Sequence, residues 1–288
     1  MVRGGAGVFA LVLELRPSAL LEREFIIPVV ARKPSLSPSK ISTYLACPLK
    51  YRWSFVDLRG RYFLRSKSYY SFGTSLHRVL ERFHDSNDAG VTTTREALAA
   101  LEESWVEAGY SSAREMQEAL GEGRAIIESY TEQYALDPTT ARTLWVERTL
   151  RMDMGEWELI GRIDRLDERE DGGLEIIDYK TGPDRVEPED VLADLALGCY
   201  QLLVRNRYPG RPVSATLVAL RTRARASAAL SDDEAEELLA DLRYLGDQIL
   251  HREYEEIVPV YKRLCRHCDF LPLCRKHPEF DTGADGMG

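Results

Sequence analysis

Residues 174–182 read LEIIDYKTG and place an aspartate and a lysine two positions apart at the end of an apolar run. In a strand, alternate side chains share a face, so Ile176, Asp178 and Lys180 point the same way. Such a pair on a strand leaving the core could be a solvated ion pair of little energetic weight. Upstream, however, GRIDRLDE carries Asp164 near the end of another strand-like segment. Neighbouring strand ends would gather Asp164, Asp178 and Lys180. Carboxylates hold hard divalent cations through oxygen, and magnesium usually takes one or two of them with waters. A lysine beside them would orient or deprotonate a water, or stabilise charge building on a phosphate. These are the parts of metal-assisted phosphodiester hydrolysis.

Two further sets of residues bear on chemistry. His77 and Glu81 lie four apart, with His84 beyond them, beside the apolar stripe Phe72, Leu76, Leu80 and Phe83. His77 is a candidate ligand, though a surface histidine would read the same way. The tail carries Cys265, Cys268 and Cys274 in a C-x2-C-x5-C array, and Cys47 stands far upstream beside a proline. Four thiolates suit zinc or an iron–sulfur cluster. A zinc ribbon would normally show two local pairs, and one is present. The fifth cysteine, Cys199, reads as a core residue.

The elements that must position these groups follow from pattern. Ser37-Pro38 opens a helix ending near Cys47-Pro48. Residues 72–84, 95–109 and 112–135 read as helices. The period then changes to two, giving strands near 143–151, 156–165 and 174–181. A helix near 188–206, a strand near 213–221 and an acidic amphipathic helix near 231–252 follow. The class is α/β, with core order helix, three strands, helix, strand. The predicted organisation is a poorly ordered leader over 1–34, one domain over 35–280 and a tail over 281–288. Within the domain, a helical insertion spans about 87–140, a catalytic core about 141–225, and a C-terminal helix with the cysteine segment about 231–277.

The chain has 288 residues, 44% hydrophobic and 30% charged, with a formal charge of −9, so any nucleic-acid surface must be local. No run reaches the ~20 apolar residues of a membrane span. Five cysteines without a secretion signal point to a reducing cytoplasm and metal ligation rather than disulfides. The phosphate loop of motors and kinases is absent. The local basic surface is residues 50–67, where Lys50, Arg52, Arg59, Arg61, Arg65 and Lys67 interleave with aromatics against one acid, Asp57. Cations neutralise phosphates and aromatic faces stack bases, the combination used on single strands. Arg221, Arg223 and Arg225 form a weaker second set.

Gly73 to His77 as GxxxH, then GRIDR, DYKTG and the downstream Tyr200 resemble, in that order, the RecB-type branch of the PD-(D/E)XK nucleases. The likeness covers roughly residues 36–276. It lies with the small stand-alone, iron–sulfur-containing RecB-family exonucleases and AddB-like nuclease domains. It implies a restriction-endonuclease-like core and a magnesium- or manganese-dependent DNA exonuclease of repair or recombination. His77, Asp164, Asp178 and the Tyr179 carbonyl would be metal ligands, and Lys180 and Tyr200 would complete the catalytic set with the two aspartates. It also implies a [4Fe–4S] cluster on Cys47, Cys265, Cys268 and Cys274, with zinc as the alternative. The partner would be DNA with single-stranded character, together with a helicase or another repair protein. Two other readings remain open: a CRISPR-associated nuclease trimming spacer precursors, and a catalytically weakened DNA-binding subunit of a helicase complex. One departure stands out. Where family members usually carry glutamine four residues before the tyrosine, this chain has Ala196.

Overall fold

The strand LEIIDYK is apolar on both faces along most of its length, the pattern of a strand covered on both sides. A computed structural model of the chain describes residues 33–85, 91–136, 140–182 and 185–280. The predicted leader up to residue 32 and the predicted tail over 281–288 lie outside them. The last two leader residues join the body: Lys33 pairs with Asp153 at 2.8 Å, and the Pro34 carbonyl accepts from the Glu158 amide at 2.9 Å.

Six strands among the described residues form one mixed sheet: β1 (Ser35–Leu36), β2 (Arg142–Asp153), β3 (Glu158–Glu168), β4 (Leu174–Lys180), β5 (Val213–Ala219) and β6 (Ala224–Ala228). The order is β1-β3-β4-β5-β6, with β2 also on β3. β2 runs antiparallel along one edge of β3, from Asp153↔Glu158 to Arg142↔Glu168. The other edge is shared. β1 pairs in parallel with Glu158 and Leu159, and β4 pairs antiparallel from Arg165↔Ile177 to Glu168↔Leu174. Between these pairings, residues 160–164 have no strand partner on that edge, and the sheet parts there. Asp164 is the first residue beyond the fork.

Helices cover both faces. On one lie α1 (Pro38–Ala46), α7 (Leu195–Arg207) and α8 (Asp232–Leu250), packing Ile41, Leu203 and Leu242 against Leu159, Ile163 and Ile176. On the other lie α3 (Ser68–His84), α4 (Thr94–Ser104) and α5 (Ala113–Leu136), packing Leu76, Leu101 and Ile127 against Ile177 and Val218. The short helices are α2 (Pro48–Tyr51), α6 (Pro188–Ala193) and α9 (Leu271–Cys274). Starts are fixed by side chains: Ser37 accepts from the Lys40 amide at 3.3 Å, and Thr93–Glu96 and Ser231–Glu234 form capping boxes.

The α/β class and the predicted core order hold. The helix expected near 188–206 is in fact two, because Asp194 is extended and caps α7 with Oδ1 accepting from the Ala196 and Leu197 amides at 2.8 and 3.2 Å. β1 and β6 went unpredicted. A two-residue strand has no readable period, and ARASA alternates polar residues only with alanine, which has a low strand propensity.

Candidate active site

β4 delivers Asp178 and Lys180 to the α7 side and Tyr179 to the α3 and α5 side. Lys180 Nζ lies 2.8 Å from Asp178 Oδ2 and 3.1 Å from Asp194 Oδ2, between its own strand and the start of α7. Past the last β3–β4 ladder pair, the Tyr179 amide donates to Asp164 Oδ2 at 2.9 Å, so a side chain continues the bonding where the strands separate. The register of that ladder, extended one step, sets Asp164 opposite Asp178.

From the other face, α3 brings His77 over the fork. Its Nε2 donates to the Tyr179 carbonyl at 3.1 Å, and its Nδ1 faces Asp164 Oδ2 at 3.5 Å and Glu147 Oε1 at 3.7 Å. Close approach of α3 depends on Gly73, where a Cβ would already meet Thr181 Oγ1 at 3.3 Å. Gly161 does the same for α7: a Cβ there would lie 2.8 Å from the Tyr200 ring and 2.7 Å from Leu203. The glycines of GxxxH and GRIDR therefore let two helices close on the sheet.

Glu147 stands beside His77 and Asp164, and the sequence alone did not reveal it. It sits on β2 at the step of the ladder opposite Asp164, with a left-handed φ of 45°. Non-glycine residues adopt that conformation at a cost, often at functional positions. Its other oxygen, Oε2, pairs with Arg162 Nε at 2.6 Å. One ligand atom each from His77, Glu147 and Asp164 fall within 4.8 Å of one another. Asp194 was missed too, although an aspartate ahead of an apolar run is a readable helix-start signal.

The electrostatics describe a site with too much negative charge for its dielectric. Asp178 is pushed up to about 6, first by burial and then by Asp164, against the pull of Lys180. Burial opposes charge on His77, yet Asp164 and Glu147 raise it to about 10. Burial likewise opposes charge on Lys180, and Asp178 with Asp194 outweigh it and hold the ammonium. Asp178 Oδ2 touches Lys180 but has no well-directed hydrogen bond, a buried oxygen with a free lone pair. Closely spaced carboxylates, an imidazole and such an oxygen suit a divalent cation, so the donor set fits magnesium or manganese.

The opposite face anchors Tyr179. Arg165 is buried and donates to the Tyr179 hydroxyl at 2.9 Å, to His84 Nε2 at 2.8 Å and to Asp167 Oδ2 at 2.7 Å. The Tyr130 hydroxyl closes this network 3.1 Å from that of Tyr179. A ring held this firmly fixes the backbone whose carbonyl His77 meets. His84, beyond His77 and Glu81 on the sequence stripe, thus serves the interior. Tyr200 and Ala196 share the wall of a groove with Arg162, Ser39 and Asp194.

The motifs and their convergence at a sheet fork are matched at the level of the whole chain. The sequence profile of the PD-(D/E)XK nuclease superfamily matches residues 35–275. The chain belongs to the PD-(D/E)XK nuclease superfamily. Members of that superfamily are nucleases, and they usually use magnesium or manganese. No curated protein matches the chain. A solved structure titled "Crystal structure of SSO0001" aligns at 16% identity over 70% of this chain and 84% of that one, with a TM-score of 0.31.

Away from the fork, this nuclease brings Cys47, Cys265, Cys268 and Cys274 to the wall of one pocket of about 170 Å³, with Lys50 and Phe270. Burial pushes the Cys274 thiol up to about 11, with Cys268, Cys47 and Cys265 adding to it. Burial also raises Cys268, while Lys50 works the other way. Cys199 is fully buried in α7.

The basic segment is only partly available. Arg52 donates to the Tyr254 carbonyl at 2.9 Å, Arg59 pairs with Asp57 at 2.6 Å, and Lys67 pairs with Asp269 at 2.7 Å. Arg61 lies beside the Tyr62 ring, 5.2 Å from its centroid, and Arg61 and Arg65 are exposed. Among the described residues, no helix is long and apolar enough to cross a membrane.

Proposed function

We propose that the chain is a metal-dependent exonuclease that hydrolyses DNA phosphodiester bonds in repair or recombination. The observation that carries this reading is the fork of β3 and β4, where Asp164, Asp178, His77 and Lys180 converge from two strands and a helix. A divalent cation bound there would supply Lewis-acid polarisation of the scissile phosphate and of the attacking water. His77, Asp164, Asp178 and the Tyr179 carbonyl would hold it; Glu147 groups with His77 and Asp164, and Asp178 is not part of that group of ligand atoms. An imidazole ligand favours manganese more than an all-oxygen site does. Lys180, kept cationic by Asp178 and Asp194, would stabilise charge building on the phosphate. Tyr200, on the groove wall, would help seat the strand.

The four cysteines would hold a [4Fe–4S] cluster, with zinc the alternative. The substrate would be DNA with single-stranded character, and a helicase or another repair protein is the partner class that would supply it.

The test is Lys180→Ala, assayed on end-labelled DNA with magnesium and manganese compared. Cleavage by wild type and none by the variant, with strand binding and melting temperature retained, is the expected result. Full digestion by the variant would remove Lys180 from the chemistry.

A further inference from the structure

The first turn of α3 carries two adjacent tyrosines that the core does not use. Tyr69 and Tyr70 are 61% and 66% exposed, while Phe72 on the same turn is buried. Scattered exposed aromatics need no explanation. These two are paired, with ring centroids 4.3 Å apart and planes tilted by 47°. They also stand on the lip of the cleft that holds His77, Glu147 and Asp164.

Their position gives the pair a direction. The cleft has a volume of about 650 Å³, the size of an ordinary ligand site. Arg78 and Arg162 line it beside the acids Glu81, Glu147 and Asp164, Arg162 paired with Glu147 at 2.6 Å and Arg78 donating to the Ser104 carbonyl at 3.3 Å. At one end Arg162 also borders the groove of Tyr200 and Ser39. At the other, Tyr69 and Thr181 are shared with a groove containing Gly182 and Arg221. The cleft thus shares wall residues with two neighbouring grooves, and Tyr69 and Tyr70 line it together with the acidic cluster.

The lip is held from behind. Lys67, immediately ahead of α3, pairs with Asp269 Oδ1 at 2.7 Å, and the Arg65 amide donates to Asp269 Oδ2 at 3.3 Å. Asp269 follows Cys268 directly. The cysteine segment thereby fixes the approach to the helix that carries the rings.

We infer that Tyr69 and Tyr70 form a stacking platform for unpaired bases of a DNA single strand entering the cleft. The inference rests on the nuclease reading of the site. Inside a duplex both faces of a base are covered by its neighbours, so a tyrosine face gains contact only with an unpaired strand. Every base has such a face, so the platform grips without reading sequence.

The experiment measures fluorescence anisotropy of the full chain in EDTA with a labelled oligothymidylate and with an abasic deoxyribose-phosphate strand of equal length. Wild type should bind the base-bearing strand about tenfold or more tightly than the abasic one. Tyr69→Ala/Tyr70→Ala should lose that preference, keep its weak salt-dependent binding to both strands, and melt at the wild-type temperature. Tyr69→Phe/Tyr70→Phe should keep the preference, because it retains the ring faces. A double alanine variant that still prefers the base-bearing strand overturns the inference, as does wild type that binds neither strand. Wild type that shows the preference yet never cleaves DNA would instead overturn the nuclease reading alone.

Discussion

Lys180 is held by two carboxylates, and only one of them was visible in its own strand. Asp178 follows from the period-two pattern of LEIIDYK, because residues two apart in a strand share a face whatever the rest of the chain does. Asp194 arrives through tertiary structure, and its two oxygens do different work: Oδ1 caps α7, and Oδ2 meets Lys180 at 3.1 Å. The two roles separate by substitution. Asp194→Asn keeps a capping oxygen and removes the charge, so stability should hold while cleavage falls by about 10–100-fold, the usual weight of a group that orients a reactive one. Asp194→Ala should lose activity similarly and also cost about 1 kcal/mol of stability. Denaturation curves beside cleavage rates check both. If Asp194→Asn cleaves at the wild-type rate, Asp178 alone suffices to orient Lys180. Glu147 was illegible for a different reason. Its place beside Asp164 needs both the β2–β3 register and a left-handed backbone, and neither leaves a mark in the string WVERTL.

At the scale of elements, β2 to β5 and the long helices were legible because their apolar periods are strong, and the break at residue 194, marked only by its capping aspartate, was masked because α6 and α7 together preserve a helical look. That break matters to the departure at Ala196. In α7, residues four apart lie one above the other, and Ala196 and Tyr200 do share a groove wall with Arg162. Gln201, the nearest amide, faces the interior instead: it is fully buried, and its Oε1 accepts from the Leu230 amide at 2.9 Å. The two positions should therefore behave oppositely. Gln201→Ala should lower stability by roughly 1–3 kcal/mol, since it strands a buried N–H, and leave the cleavage rate per folded molecule unchanged. Ala196→Gln should leave stability alone and raise cleavage or lower the metal concentration needed. Metal-titrated rates with urea denaturation separate the two, and a crippled Gln201→Ala at full foldedness would misplace the helix relative to the site.

At the scale of the molecule, the two ends of the nuclease domain meet beside each other, and protein contacts alone already join them. Lys262 Nζ donates to the Ala46 carbonyl at 3.0 Å, Arg252 to the Tyr44 hydroxyl at 3.1 Å, and Tyr51 stacks on Tyr254 with centroids 5.7 Å apart. Ligation through Cys47 and Cys265 would add closure of a loop spanning most of the chain, worth about 5 kcal/mol by analogy with a disulfide. Loss of the ligand set should then loosen the tail without dissolving the sheet, whose core lies elsewhere. Protein purified without oxygen should be brown and hold about four irons and four sulfides per chain. Cys47→Ser should be colourless and should be cut by protease within residues 258–280, yet keep its far-ultraviolet circular dichroism. Because Asp269 ties the cysteine segment to Lys67, the same variant should also weaken single-strand binding. A colourless wild type carrying one stoichiometric zinc would replace the cluster with a zinc site on the same four sulfurs. Protease resistance in Cys47→Ser equal to wild type would show that the protein contacts suffice and that the cysteines do not staple the ends.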